Sequence, residues 1–378
     1  MQRTGVASLP LHGGKAPAWL TGRMRKLARE ISSIIIDEYG TNTFLARLSD
    51  PFWFQAFGCV LGYDWHSSGI TTVVTGVLKR ALTPETHSMV VCGGKGKTSR
   101  RTPAEIAEKG DTFGFSTDFV ESLAYTSRMT AKVDNTAIQA GYQLYHHSFI
   151  IAENKKWAVI QQGMRSEDHT ARRYHWLSDN AKSLIVEPHN AIVGIKHDNV
   201  LNMTAKESEG ARKASVDLSK EPPRKIISLI EEAARPLNQK SLCEWITQED
   251  ANSRLQNLER LRMSRHISWE TMKRTYEFQP RDYEELLSVK GVGPSTVRGL
   301  ALVAELVYGE KPSWRDPVKF SFAFGGKDGV PFPVDRKAMD ESICLLRDAV
   351  KSSQIGDKEM TRSLQRLRRF VPQGKTNS

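Results

Sequence analysis

Cysteine is scarce and scattered: Cys59, Cys92, Cys243 and Cys344 form no Cys-x-x-Cys pair in a chain of 378 residues. That excludes a zinc ribbon and a disulfide scaffold, and predicts four buried thiols in a reducing compartment. No apolar run approaches the ~18 residues needed to span a bilayer. The opening Met1-Gln2-Arg3-Thr4-Gly5 lacks the basic-then-apolar pattern of a signal peptide. The expected location is therefore the cytoplasm. Internal repeats and long low-complexity tracts are missing too, which leaves a globular chain.

What is present is a core and an excess of positive charge. Hydrophobic residues make up 39% and charged residues 26%, the balance of a soluble folded protein. The length suits two or three domains. Net charge is +11. A surplus of this size suits a polyanionic partner, because each phosphate neutralised by Lys or Arg releases condensed counterions. A solvated basic surface would give the same composition.

Residues 205–224, AKESEGARKASVDLSKEPPR, are polar and end in Pro222-Pro223, the composition of a linker. The expected division is an α+β catalytic domain over 1–205, a linker over 206–224 and a helical domain over 225–378. In the first, Met24, Leu27, Ile31 and Ile35 recur at helical spacing. Helices are predicted over 23–39, 50–61, 70–82 and 119–136, and a short strand over 87–92. Residues 142–152 and 157–162 read as a hairpin turning at Glu153-Asn154-Lys155-Lys156. The fold class is thus an α+β N-terminal domain with a small antiparallel sheet, followed by an all-α C-terminal domain.

Residues 286–297, LLSVKGVGPSTV, carry a helix-hairpin-helix signature. Helices are predicted over 282–289 and 296–308, with Gly309 as C-cap. Gly291 and Gly293 permit close approach and positive φ, Val292 packs between the helices, and Pro294 presets the second helix. That helix aims its positive end at whatever sits there, which makes a phosphate site. Lys290, Gly291, Val292, Gly293, Ser295, Thr296 and Arg298 form the expected nucleic-acid contact. Such a turn grips backbone and reads no sequence. An ordinary helical corner is the plainer alternative. Arg362, Arg366, Arg368 and Arg369, on a helix with Leu364 and Leu367 facing inward, offer a second basic surface or a merely solvated one.

Helix-hairpin-helix proteins include the DNA glycosylases, and Phe332-Pro333-Val334-Asp335-Arg336 looks like their catalytic Asp segment. Bifunctional members place a Lys two residues after the second hairpin glycine. Ser295 stands there in this chain, which excludes a lyase step by that residue. Ser295 and Asp335 also lie about 40 residues apart, roughly twice the usual gap, and an N-cap role alone explains Asp335.

Chemistry-bearing side chains concentrate upstream. Asp64-Trp65-His66 puts a carboxylate and an imidazole before a helix. Cys92-Gly93-Gly94-Lys95-Gly96-Lys97-Thr98 is a basic Gly-rich loop after a strand. The first Gly of a Walker sequence falls on Val91, which excludes an ATPase, but Lys95 and Lys97 suit a nucleic-acid phosphate. Along the hairpin, alternation sets Gln143, Tyr145 and His147 on one face and Tyr142, Leu144 and His146 on the other. Gln161 or Gln162 lies across from them. Ala171-Arg172-Arg173-Tyr174-His175-Trp176 and Glu187-Pro188-His189 add more basic, aromatic and imidazole groups.

Divalent-metal nucleases need carboxylates, imidazoles and a basic group beside the scissile phosphate. The catalytic set expected on that basis is Asp64, His66, Asp134, His146, His147, Gln161 and His175. Asp134 and His147 would be ligands for Mg²⁺ or Mn²⁺, and Arg172 and Arg173 would join Lys95 and Lys97 in holding nucleic acid. Carboxylates are few, however: Asp64, Asp134 and Glu187 are the candidates, and a second metal-binding acid is not evident. For any one residue, a structural network of hydrogen-bonded His and Gln on a sheet face is the alternative.

The segments RTGVASLPLHGGKAPAWL, FGCVLGYDWHSSGITTVVTGVLKRAL, AKVDNTAIQAGYQLYHHSFI, WAVIQQGM, ARRYHWLS and PVDRKAMDESI together resemble a domain-of-unknown-function family of archaea and thermophilic bacteria. The resemblance covers nearly the whole chain. It implies a prokaryotic cytoplasmic protein and brings no established activity.

The expected function is a nucleic-acid-binding nuclease of DNA repair or genome maintenance, acting on DNA or RNA and not at a membrane. A glycosylase-like enzyme using Asp335 and a non-catalytic nucleic-acid binder stay open. Convergence of Asp64, Asp134, His146, His147 and His175 in one basic cleft would support hydrolysis; scattering over separate faces would oppose it.

Overall fold

The computed structural model describes residues 9–11, 16–63, 68–234, 268–318 and 336–370. Among them, strands are β1 (Met89–Lys95), β2 (Ile138–Gln139), β3 (Gln143–Ala152), β4 (Trp157–Arg165), β5 (Thr170–Leu177), β6 (Ala191–Val193) and β7 (Leu201–Asn202). Five form an antiparallel sheet in the order β1-β3-β4-β5-β6, and β2 pairs with β7. The β3–β4 hairpin turns where expected, with Lys155 at φ 69° and its N–H donating to Ala152 O at 2.9 Å. The chain is α+β with a small antiparallel sheet.

Before the sheet come α1 (Ala18–Ser49), broken at Gly40, then α2 (Pro51–Val60), α3 (Gly69–Ala81) and the single turn α4 (Pro84–His87). Asp50 starts α2 because its carboxylate accepts the N–H groups of Phe52 and Trp53 at 2.8 and 2.9 Å. After β1 follow α5 (Thr102–Thr112) and α6 (Thr117–Lys132), which runs on into a π-helical turn, Val133–Ala137. Then come α7 (Glu209–Ser219), α8 (Pro223–Ala234), α9 (Trp269–Phe278), α10 (Tyr283–Ser288), α11 (Pro294–Tyr308), α12 (Arg336–Ser352) and α13 (Asp357–Phe370).

The sheet is buried on both faces. On one, Cys92, Phe149, Val159 and Trp176 join Leu286, Leu287, Val297 and Leu300 of α10 and α11 in a single apolar core. On the other, Val91, Ile150 and Ile160 meet α1, α2 and α3, together with Leu346 and Val350 of α12 and Leu367 of α13. Each large side chain so buried contributes roughly 1.5–3 kcal/mol.

This packing corrects the expected division. Residues 206–224 are not a linker: α7 buries Ala211, Val216 and Leu218 against α10 and α11. Its inward face was hard to see because it is built largely of small residues, Ala211, Ser215 and Ser219, while Glu209, Lys213 and Asp217 face solvent. The C-terminal helices complete both cores of the sheet rather than forming a separate all-α unit. Cys59 and Cys92 are buried, but Cys344 is exposed, against the expectation of a buried thiol. Among the described residues, no helix is long and apolar enough to cross a membrane.

Candidate functional site

On the α6 side of the sheet, polar groups form a continuous buried chain. Ser127 Oγ meets His147 Nε2 at 2.9 Å, and His147 Nδ1 meets Gln161 Oε1 at 2.7 Å. Gln161 Nε2 donates to Thr130 O at 3.0 Å and to Asp134 Oδ2. Trp176 Nε1 donates to the same carboxyl oxygen at 3.0 Å, and His189 Nε2 bonds Oδ1. Because Gln161 Oε1 only accepts, His147 carries its proton on Nδ1 and takes the Ser127 hydroxyl at Nε2. Burial lowers the His147 pKa, opposed in part by Gln161 and Asp134. The π-helical turn, which accommodates an extra residue, brings Asp134 fully into the core.

The other face carries a different arrangement. Strand register sets Lys95, His146, Gln162 and Arg173 in one row across β1, β3, β4 and β5. Thr75 Oγ1 donates to Thr71 O at 2.7 Å, so it accepts from His146 Nε2 at 2.9 Å. Ser148 Oγ lies 3.0 Å from the same nitrogen, and His146 Nδ1 is buried without a hydrogen-bond partner, which costs about 1–3 kcal/mol. Burial, with His147 and Lys95 adding to it, pushes the His146 pKa down to about 3. Gln162 Nε2 donates to Ser68 O at 2.9 Å and bonds the Tyr145 hydroxyl, while its Oε1 accepts from Thr71. Arg173 donates from Nε to His175 Nε2 at 2.9 Å and from Nη2 to Gln55 Oε1 at 3.1 Å. His175 Nδ1 then faces Leu48 O at 3.3 Å, and burial holds this imidazole well below its usual pKa.

Tyr145 departs from the expected alternation. The β3–β4 register shifts between Leu144 and His146, a bulge that turns Tyr145 to the His146 side. Its hydroxyl reaches Gln162, and Lys95 Nζ lies 5.7 Å from its ring centre.

Arg172 belongs to neither network. It pairs with Asp316 at 2.5 Å, donates to Ile195 O at 2.9 Å and lies 4.6 Å over the Tyr142 ring. Asp316 also accepts the His197 N–H at 2.9 Å. The ion pair thus ties β5 to the segment that follows α11.

In the turn between α10 and α11 the two glycines differ, Gly291 taking a positive φ and Gly293 an extended one of −139°. Gly291 adopts φ +101°, and a Cβ there would lie 2.5 Å from Thr271 Oγ1 of α9. Val292 is buried, its N–H donating to Val289 O at 3.2 Å. Gly293 caps α11 with Pro294 at its start. Lys290 and Gly291 are exposed. Lys132, at the end of α6, donates to Val289 O at 3.3 Å, and Gln139 Nε2 donates to Pro294 O at 2.8 Å. Arg298 is partly buried over the Trp314 ring at 5.2 Å, and Thr296 is buried.

The profile of a family described as a protein of unknown function, DUF763, matches residues 5–334. The chain belongs to DUF763. No curated protein and no solved structure matches it.

The DUF763 chain therefore groups some expected residues and separates others. Asp134, His147 and Gln161 come together, but Gln161 stands between the other two, donating to one and accepting from the other. Both His147 nitrogens and both Asp134 oxygens are engaged in hydrogen bonds within the core. Among the described residues, no three His, Cys, Asp or Glu side chains are grouped to hold a metal ion. His146 and His175 lie across the sheet from that trio, so no single cleft gathers the set. Asp64, His66 and Asp335 lie outside the described residues.

Arg172 and Arg173, expected to hold nucleic acid, are fully buried and cannot reach it. Arg366 is likewise used internally, donating to Val60 O at 2.9 Å and to Glu359 at 3.1 Å. His189, named among the imidazole-bearing groups but left out of the expected catalytic set, is the residue that meets Asp134, in a loop with Glu187 at φ 44°. A His directly after Pro was its sole signal.

Proposed function

We propose that this chain binds the sugar–phosphate backbone of nucleic acid at the turn between α10 and α11. The observation that carries this is Gly291: its positive φ and its contact with Thr271 fix a turn that exposes backbone beside Lys290 at the start of a fifteen-residue helix. A positive helix end with close backbone access favours a phosphate. The test is anisotropy of labelled duplexes across a salt series. Binding independent of sequence, with Kd on the order of 10⁻⁴–10⁻⁶ M near physiological salt, is expected. Lys290→Gln should weaken it for every sequence alike, and an unaltered Kd would sink the proposal.

A second reading, phosphodiester hydrolysis, is favoured by one observation: the bare Nδ1 of His146 beside the bulged Tyr145 and the exposed Lys95. A neutral imidazole nitrogen can take a bond from a divalent ion. End-labelled DNA and RNA incubated with Mg²⁺ or Mn²⁺ should then be cut, and His146→Ala should abolish cutting. Activity surviving that substitution excludes His146 as the reacting group.

A further inference from the structure

We infer that residues 93–101 form a second grip on the same backbone as the α10–α11 turn, making the partner a duplex held at two points; this rests on the turn reading above. Lys95, Lys97, Arg100 and Arg101 are all exposed. Among the described residues, none of the four has a salt-bridge partner, and Lys95 touches only the Tyr145 ring. The carboxylates nearest in the chain are engaged elsewhere, Glu105 by Lys79 at 2.6 Å and Glu108 by Lys109 at 3.0 Å. Four cations in seven residues repel one another, and a polyanion relieves that repulsion.

The segment is anchored. Gly93 N–H donates to Glu105 at 2.7 Å, and its carbonyl accepts from Lys79 at 2.7 Å. A Cβ at Gly93 would lie 2.2 Å from His147 O, so the backbone there packs directly on β3. The 3-10 turn Gly96–Arg101 is closed by Ser99 Oγ donating to Gly96 O at 2.6 Å. Cations presented from a fixed backbone lose less ordering entropy on binding than those on a free loop.

Placement joins the two grips. Gly94 pairs with His147, whose Nε2 meets Ser127 of α6. Five residues farther along α6, Lys132 meets Val289 of the turn. Neither 93–101 nor 289–298 contains an aromatic residue, and the rings beside them are already covered by cations, Tyr145 by Lys95 at 5.7 Å and Trp314 by Arg298 at 5.2 Å, so neither offers the open stacking platform of a single-strand binder. The matching partner is a duplex, held by phosphates.

Three full-length proteins test this: the unaltered chain, the loop variant K95Q/K97Q/R100Q/R101Q and the turn variant K290Q. Each is titrated onto labelled duplex DNA, duplex RNA and single strands from about 50 to about 200 mM salt. The loop variant should melt with the unaltered protein, bind duplex at least tenfold more weakly, and lose up to about 3.6 from the slope of log K against log salt, roughly 0.9 per cation. The DNA and RNA arms tell which backbone is the source. An unchanged slope in the loop variant beside a reduced one in K290Q overturns the second grip and leaves the turn reading. A reduced slope in the loop variant alone upholds the loop and removes the turn. Tighter binding to single strands overturns the duplex, and no binding by the unaltered protein overturns both.

Discussion

His146 and His147 are adjacent in sequence and opposite in circumstance. His147 sits inside a buried hydrogen-bond chain with both nitrogens engaged; His146 keeps a nitrogen unpaired. Burial lowers the pKa of both and of His175. In the unfolded chain each takes up a proton as pH falls below 6.5, whereas folded His146 does so only near 3. The unfolded state then holds more protons, so stability falls as pH falls between those values, by about 1.4 kcal/mol per pH unit for each His that stays neutral. Urea unfolding between pH 7 and pH 4 should show this, with a shallower dependence in His146→Gln. An equal dependence in both proteins would contradict it. Asp134→Ala strands Trp176 Nε1 and His189 Nε2 in the core and leaves Gln161 Nε2 only its bond to Thr130 O, and should cost about 3 kcal/mol or more in the same assay. These outcomes were only partly legible beforehand. The sequence marked polar residues on strands, but whether each finds a partner depends on groups far away in the chain, such as His189 for Asp134 and Thr75 for His146.

At the scale of elements, the two glycines of the turn do different work. Gly291→Ala forces a side chain into φ +101° and onto Thr271, and should destabilise by about 1–3 kcal/mol. Gly293 has φ −139°, and a Cβ there would meet nothing nearer than Gly291 O at 3.7 Å. Gly293→Ala should therefore leave the melting temperature nearly unaltered while weakening duplex binding, because the methyl stands where backbone must approach. Equal losses of stability in the two variants would show that the turn is not held as described. The turn, the β3–β4 hairpin and most helices were readable because their signals are local: glycine, proline and apolar spacing. The bulge at Tyr145 and the π-helical turn at Asp134 were not, since each is a one-residue irregularity imposed by packing.

Over the whole molecule, one sheet gathers helices from both ends of the chain. A fragment of residues 1–205 lacks α7, α10 and α11, and leaves Phe149, Val159 and Trp176 without their cover. It should show no cooperative urea transition and no native near-ultraviolet circular dichroism; a native-like fragment would restore the two-domain division. Asp316→Ala leaves the Arg172 charge buried without its carboxylate, and should cost about 3–5 kcal/mol. From the sequence alone came the basic surplus, the α+β class, the hairpin and the glycine turn, all set by composition or by residues close in the chain. Only the tertiary structure decided that α7, within 206–224, packs one face into the core, that Arg172 and Arg173 are buried, and that the histidines fall on two faces. Those outcomes turn on which distant groups a sheet buried on both sides brings within hydrogen-bonding reach.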